Sequence, residues 1–397
     1  MSSRRELAPF AALSASYFAH IGFFNPYLPL WLKDLGLSLL LIGLLVTLQS
    51  LTRVIAPYAW GWLSDHSGER VKLLRYGATA ALFISAGLWL ELTDLGVAGL
   101  AVVLLLMFGH TSAMMPMSEA AMAHLVSRSG DFDAKRYGRV RVWGSVGFLL
   151  TVLLAGAWFE TFGLRDFPLW TSLSLLAVVL SVWAMPDIRE TVAAQQEKLA
   201  VWPVLSRPRV QWFFAALFFH VLSHMGIYVF FSLYLDELGM SKTLIGVLWA
   251  LAVLVEIAWF FSQSRWLPKF SLSAWLLICA LVMVLRMGIT ASSVTLLPLL
   301  LAQCLHALTF ANHHVVCITL LSQYFPGRLR GRGQALYTVI GYGVPGVLGG
   351  LGGAVLSSAF GLASIFWACL ASSLIAVACA FRLWRLNSQP ALTQIVH

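Results

Sequence analysis

Charge is the scarcest commodity in this sequence. Asp, Glu, Lys and Arg make up 11% of 397 residues, and only 17 of them are acidic. A soluble chain is roughly one-quarter charged, so this one lacks the polar surface a water-soluble protein of its length needs. Cysteine is scarce too. Cys279, Cys304, Cys317, Cys369 and Cys379 all lie in apolar stretches, with no C-x-x-C pair among them. That spacing excludes a zinc ribbon, and the five are read as buried, reduced thiols. Also missing are the alternating apolar–polar runs of about ten residues that mark barrel strands. No convincing small-residue cleavage site follows the basic start at Arg4 and Arg5, so the first apolar run is read as an uncleaved span.

What remains is apolar: 59% of the residues are hydrophobic and the mean hydropathy is +0.82. Lipid is the solvent that suits such a chain, and in lipid the backbone must satisfy itself within helices or closed barrels. The long continuous runs predict an all-α membrane protein. A span needs about 20 apolar residues, and with Gly, Pro and charge as punctuation twelve transmembrane helices are expected. They fall at 10–32, 39–61, 73–91, 97–125, 139–160, 167–185, 210–235, 242–264, 272–290, 294–323, 333–357 and 361–384. The longest polar stretch, 187–209, divides them. The expected domains are a six-helix half over 1–186, a cytoplasmic central loop over 187–209, a second six-helix half over 210–385 and a cytoplasmic tail over 386–397.

The net charge of +9 is no nucleic-acid footprint, because the basic residues sit in short loops. On this map twenty Lys and Arg fall on the side of the termini, against Lys33, Arg165 and Lys242 on the other. Positive charge marks the cytoplasmic side, so both termini and the central loop are expected inside the cell, in a multi-pass membrane protein. The two halves repeat. Residues 31–45 read WLKDLGLSLLLIGLL and 234–248 read YLDELGMSKTLIGVL, matching at Leu32, Leu35, Gly36, Ser38, Leu41, Ile42 and Gly43 with an offset of 203. Gly138-Arg139 and Gly331-Arg332 echo each other more weakly. Parallel repeats of this kind place a substrate site near the bilayer midplane.

Five charged residues stand inside apolar spans: Arg53, Glu119, Arg141, Glu256 and Arg286. Each costs about 2.5–3.5 kcal/mol at the bilayer centre on insertion scales, so each is expected to face a partner or water. At about 1.5 Å of rise per residue, Glu256, Arg286 and His306 reach similar depth on spans eight, nine and ten. Glu119 and Arg141 come close enough on spans four and five for an ion pair. Alternatives stand beside each reading. Glu119–Arg141 could be a structural bridge, Arg53 could neutralise Asp65 or cap a helix, and His306 could be a packed, hydrogen-bonded histidine. His20, His110, His220, His224, His313 and His314 read as structural. Adjacent His313 and His314 point about 100° apart on a helix, so no metal is expected.

Gly61-Trp62-Leu63-Ser64-Asp65-His66-Ser67-Gly68-Glu69-Arg70 resembles the major facilitator loop signature G-x-x-x-D-[RK]-x-G-[RK]-[RK], with His66 and Glu69 in place of basic residues. Gly61 is expected to let helices approach closely, Asp65 to cap or pair, Gly68 to make the turn, and the four residues Gly61, Asp65, Gly68 and Arg70 to form a gating loop. Tyr137-Gly138-Arg139-Val140-Arg141-Val142-Trp143-Gly144-Ser145-Val146-Gly147-Phe148 resembles the fifth span of the lactose-permease-like branch. Leu305-His306-Ala307-Leu308-Thr309-Phe310, with His314 further on and Gly246-Val247-Leu248-Trp249 leading to Glu256, resembles the phenylpropionate permease subgroup.

The resemblance covers essentially the whole chain. It implies the major facilitator fold with two six-helix pseudo-repeat halves, and a proton-coupled symporter of the inner membrane with no catalytic chemistry and no cofactor. By that resemblance Glu119 and Arg141 bind substrate, and the group on spans eight to ten carries substrate and proton coupling. Arg53, Glu119, Arg141 and Arg286 are the candidate substrate residues, and Glu256 with His306 the proton-coupling pair. Thr309 stands where the lactose permease pattern has a carboxylate, which removes that permease's proton site and favours the phenylpropionate subgroup. Three Arg against two Glu in the spans leave an excess of +1, which suits an anion. Proton symport of a small organic anion, such as an aromatic carboxylate, is the first expectation. Symport of a neutral sugar or nucleoside, or a non-transporting receptor on the same fold, are the alternatives. The expected partners are a small-molecule substrate, protons and the lipid bilayer, around a monomer. No enzyme is expected, since no nucleophile–base set is present.

Overall fold

The structure, a computed structural model, describes residues 4–126, 134–187 and 200–388. Twelve of its helices are long and apolar enough to cross a membrane: α1 Leu7–Asp34, α2 Leu39–Ser67, α3 Arg70–Trp89, α4 Leu92–Met122, α5 Arg139–Phe162, α6 Leu164–Trp183, α7 Pro208–Glu237, α8 Lys242–Lys269, α9 Leu272–Ser292, α10 Leu296–Tyr324, α11 Arg330–Phe360 and α12 Ala363–Ser388. Each expected span is one of these. Most run a few residues further into their polar ends than hydropathy predicts, because helix formation there is limited by caps rather than by lipid. Of the central loop, residues 188–199 lie outside the described residues, as do 389–397 of the tail.

The repeat seen in sequence is also a repeat of hydrogen bonds. After α1, Gly36 adopts φ 82° and the N–H groups of Leu35, Gly36 and Leu37 reach back to Trp31, Lys33 and Leu32. After α7, Gly239 adopts φ 77° and Leu238, Gly239 and Met240 reach back to Tyr234, Asp236 and Leu235. Only glycine takes this left-handed turn without strain. Two residues on, the hydroxyls of Ser38 and Ser241 accept from the N–H groups of Leu41 and Leu244 and start α2 and α8.

The chain forms two compact units. One comprises Met1–Gln196 with Tyr228–Ala250, the other Glu197–Ile227 with Leu251–His397. In the first, α1 packs on α5 and α6, α2 on α4, and α3 on α4 and α6. The α1–α5 contact is close because Gly147 has no side chain: a Cβ there would sit 2.1 Å from the Ala15 carbonyl oxygen. Thr151 Oγ1 seals the contact by donating to Ala19 O at 2.7 Å. Small residues and buried hydroxyls are what hold helices together where lipid removes the hydrophobic drive. An aromatic core fills the space among α1, α4, α5 and α6, with Trp31 stacked on Phe167 at 4.9 Å and Phe24 edge-on to Phe108.

Tyr228–Ala250 joins this unit through polar contacts. Lys33 and Lys242 both pair with Asp236, at 2.7 and 3.3 Å. The Lys242 N–H donates to Glu160, and the Tyr27 hydroxyl lies 2.9 Å from the Lys242 carbonyl. In the second unit α9 packs on α10 and α12, and Ser372 of α12 donates to Phe219 O of α7. Both α10 and α11 widen to π-helix, over Ala307–Asn312 and Tyr337–Gly343. Apolar side chains such as Phe83, Leu154, Leu180, Phe261 and Phe360 cover the outward faces.

Candidate functional site

The second unit holds a buried polar cluster built on Arg286. This arginine is fully enclosed in α9. Its Nη1 lies 2.8 Å from Thr309 Oγ1, 3.1 Å from His306 Nδ1 and 3.2 Å from His224 Nε2, and its Nη2 donates to Gln303 Oε1 at 3.0 Å. Gln303, His306 and Thr309 follow at intervals of three on α10, so one face of that helix supplies three of the partners. The π-turn shapes the rest. His313 N–H reaches five residues back to Leu308 O, and the Thr309 carbonyl is met at 2.8 Å by His220 Nε2 from α7. Wide turns of this kind recur at functional sites.

Arginine has only donors, so the His306 nitrogen facing it must accept. The neutral ring therefore carries its proton on Nε2, which faces Glu256 Oε2 of α8 at 3.6 Å. His306 is almost enclosed and lies flat against Phe310 with ring centroids 4.9 Å apart, whereas the Glu256 side chain is 22% exposed. The accessible carboxylate, its imidazole neighbour and the guanidinium thus form a chain from the surface of the unit to its interior.

The first unit carries the other candidates. Arg141 of α5 and Glu119 of α4 form a close ion pair, with the arginine half-exposed. Arg53 sits at the middle of α2, is exposed, and makes no hydrogen bond or ion pair with any described residue. It lines a small cavity with Tyr17 and Asn25 of α1, Gln49 of α2, and Thr111 and Ser112 of α4. The Tyr17 phenol lies within the fields of both Arg53 and Glu119.

Glu256, Arg286 and His306 meet as their depths predict, and Glu119 meets Arg141. Arg53 does not neutralise Asp65, whose carboxylate accepts from Arg70 Nη2 at 2.8 Å within its own loop. Gly68 makes the turn at φ 66°, its N–H reaching Ser64 O. Two expectations are corrected. A Cβ at Gly61 would meet nothing within 4 Å, so no helix among the described residues packs against it. Cys304 is exposed, because it faces outward from α10 while the other four thiols are buried.

Sequence reasoning missed Gln303 and His224 as ligands of Arg286, and Asn25 and Gln49 beside Arg53. The signal was available. Gln303 lies one turn before His306, and Asn25 and Gln49 are amides inside apolar spans, where a polar group needs a partner.

Comparison with known proteins agrees with this architecture. The model of the MFS_1 like family matches residues 13–368. The chain is 28% identical over 336 residues to the Probable 3-phenylpropionic acid transporter of Escherichia coli (strain K12), covering 83% of this chain and 85% of that one. It is 25% identical over 344 residues to the Maltose permease of Geobacillus stearothermophilus, covering 82% of each. Among solved structures, the nucleoside transporter NupG superposes with a TM-score of 0.76 at 14% identity, over 98% of this chain and 100% of that chain. The D-xylose-proton symporter does so with a TM-score of 0.71 at 15% identity, over 95% and 96%. The chain belongs to the MFS_1 like family, within the major facilitator superfamily of secondary transporters.

Proposed function

We propose that the protein is a proton-coupled symporter that brings a small organic anion, such as an aromatic carboxylate, across the inner membrane by alternating access. The observation that carries this reading is the cluster of Glu256, His306 and Arg286: an accessible carboxylate joined through one imidazole to a buried cation. Glu256 is the proton carrier. His306 keeps Nδ1 turned to Arg286, so a second proton there would set N–H against N–H. The imidazole therefore orients Glu256 and senses its charge, and a proton passes to it only if Arg286 withdraws.

Charge balance supports symport. With Glu256 ionised, the spans carry Arg53, Arg141 and Arg286 against Glu119 and Glu256, an excess of one positive charge. Taking up one proton and one monoanion leaves that excess unchanged. The loaded and empty carriers then reorient with the same charge, avoiding a cost of about 2.3 kcal/mol per charge per 100 mV. The name of the Escherichia coli relative favours an aromatic carboxylate, and that of the maltose permease keeps a neutral sugar as the second reading. The Lys and Arg bias sets both termini in the cytoplasm, and the working unit is a monomer.

Uptake of labelled 3-phenylpropionate, benzoate, maltose and uridine into proteoliposomes with an inwardly directed proton gradient tests the proposal. Accumulation of a carboxylate above that in protein-free liposomes, collapsing with a protonophore, is expected. Accumulation of maltose or uridine instead would move the chain to the second reading.

A further inference from the structure

We infer that the niche around Arg53 is the subsite that holds the carboxylate of the transported anion, an assignment that rests on the organic-anion reading above. Of the three arginines within the spans, two have their charge engaged. Arg286 is fully enclosed, with four acceptors around its guanidinium, and Arg141 is paired with Glu119. Arg53 differs: it is exposed and makes no hydrogen bond or ion pair with any described residue. It stands at the middle of α2, where an uncompensated cation is most costly in lipid. A site that keeps a charge there needs water or an anion to meet it.

The walls of the niche fit a carboxylate head group. Gln49 Nε2 donates to Asn25 Oδ1 at 3.0 Å, which fixes that amide and leaves Asn25 Nδ2 with no hydrogen-bond partner among the described residues. The Tyr17 hydroxyl is turned to Thr111 O at 3.3 Å, Thr111 Oγ1 donates to Met107 O, and Ser112 shares a hydrogen bond with Thr52. The Arg53 guanidinium and the Asn25 amide are therefore two donors of the lining with no hydrogen-bond partner among the described residues. A carboxylate accepts from both, while a neutral amide of the same shape accepts less strongly and brings N–H groups towards the cation. The enclosed space suits a small polar group rather than a whole aromatic acid, so the niche selects the charged end of the substrate. No carboxylate is among its lining residues, and Glu119, whose field reaches the Tyr17 phenol, has its charge paired with Arg141.

The test is binding of 3-phenylpropionate, benzoate and neutral 3-phenylpropionamide to purified protein, followed by tryptophan fluorescence, for the wild type, Arg53→Gln, Arg53→Lys and Asn25→Leu. The wild type should prefer the acids to the amide. Arg53→Gln should weaken the acids by about tenfold to a hundredfold, the range of a charge-assisted hydrogen bond, and leave the amide within about threefold. Arg53→Lys should keep the preference with weaker binding, and Asn25→Leu should weaken the acids less than Arg53→Gln does. If Arg53→Gln keeps the wild-type ratio of acid to amide, the subsite lies elsewhere. Should that variant fail to fold, unchanged acid affinity in both Arg53→Lys and Asn25→Leu overturns the assignment. A wild-type protein that binds neither acid refutes the organic-anion reading itself, and the subsite with it.

Discussion

Replacing Arg286 by lysine keeps the charge and removes the fork. The guanidinium presents two terminal nitrogens, one to Gln303 Oε1 and the other to Thr309, His306 and His224. A single ammonium cannot occupy both positions, and the Thr309 side supplies three acceptors, so the lysine should settle there and abandon Gln303. Gln303 is 1% exposed, and its Nε2 donates to no described residue, so nothing compensates the loss. Stranding a buried acceptor costs about 1–3 kcal/mol, so Arg286→Lys should lose about that much stability. Arg286→Met strands all four partners and should lose more, about 3–5 kcal/mol as for other broken buried charge networks. Unfolding in detergent, followed by tryptophan fluorescence, reads these differences. A double-mutant cycle isolates the contact: Gln303→Leu should destabilise the wild type by about 1 kcal/mol or more and cost nothing in the Arg286→Lys background. Equal cost of Gln303→Leu in both backgrounds would refute the reasoning, as would an Arg286→Lys protein as stable as the wild type.

Other consequences follow from single contacts. Gly147→Ala places a methyl 2.1 Å from the Ala15 carbonyl and should force α1 from α5, costing about 1–3 kcal/mol in the same unfolding assay, while the control Gly61→Ala, a helical glycine whose Cβ would meet nothing, should not destabilise. Asp65→Asn breaks a pair with Arg70 whose carboxylate is 63% exposed, so stability should change by less than about 1 kcal/mol. Its effect belongs to conformational cycling: counterflow should slow with substrate affinity within about twofold, and unaltered counterflow would reduce the loop to an ordinary turn. Reporter fusions after residue 195 and at residue 397 should both report a cytoplasmic location, and a periplasmic signal from either would overturn the orientation.

Much of this was legible in the sequence because the membrane imposes a one-dimensional rule. Spans must be long and apolar, so twelve helices could be read from hydropathy alone, and intramembrane charges such as Glu256 and Arg286 stood out by cost. The Gly36 and Gly239 turns were visible because their sequences repeat and their chemistry is local. The partners of those charges were less legible. Thr309 and Gln303 share a face with His306, but the π-turn that gives the Thr309 carbonyl to His220 depends on packing between α7 and α10, which no single-helix pattern encodes. Gly61 matched a motif, yet whether a helix approaches a glycine is a property of its neighbour, and among the described residues none meets a Cβ placed there. Arg53 was visible as a cost, but that no described residue pairs with it could be seen only once Asp65 was found with Arg70.

If Glu256 carries the coupled proton, its replacement should separate uphill accumulation from exchange. Proteoliposomes holding wild-type protein or Glu256→Gln are given labelled 3-phenylpropionate, first with an imposed pH gradient and then with unlabelled 3-phenylpropionate inside and no gradient. Glutamine mimics the protonated carboxyl in shape but cannot release a proton. Glu256→Gln should exchange labelled for unlabelled substrate at a rate comparable with the wild type, yet accumulate no more than protein-free liposomes do when pH is the only driving force. Uphill accumulation by Glu256→Gln under a pH gradient would contradict it and leave Glu119 as the next carboxylate to examine.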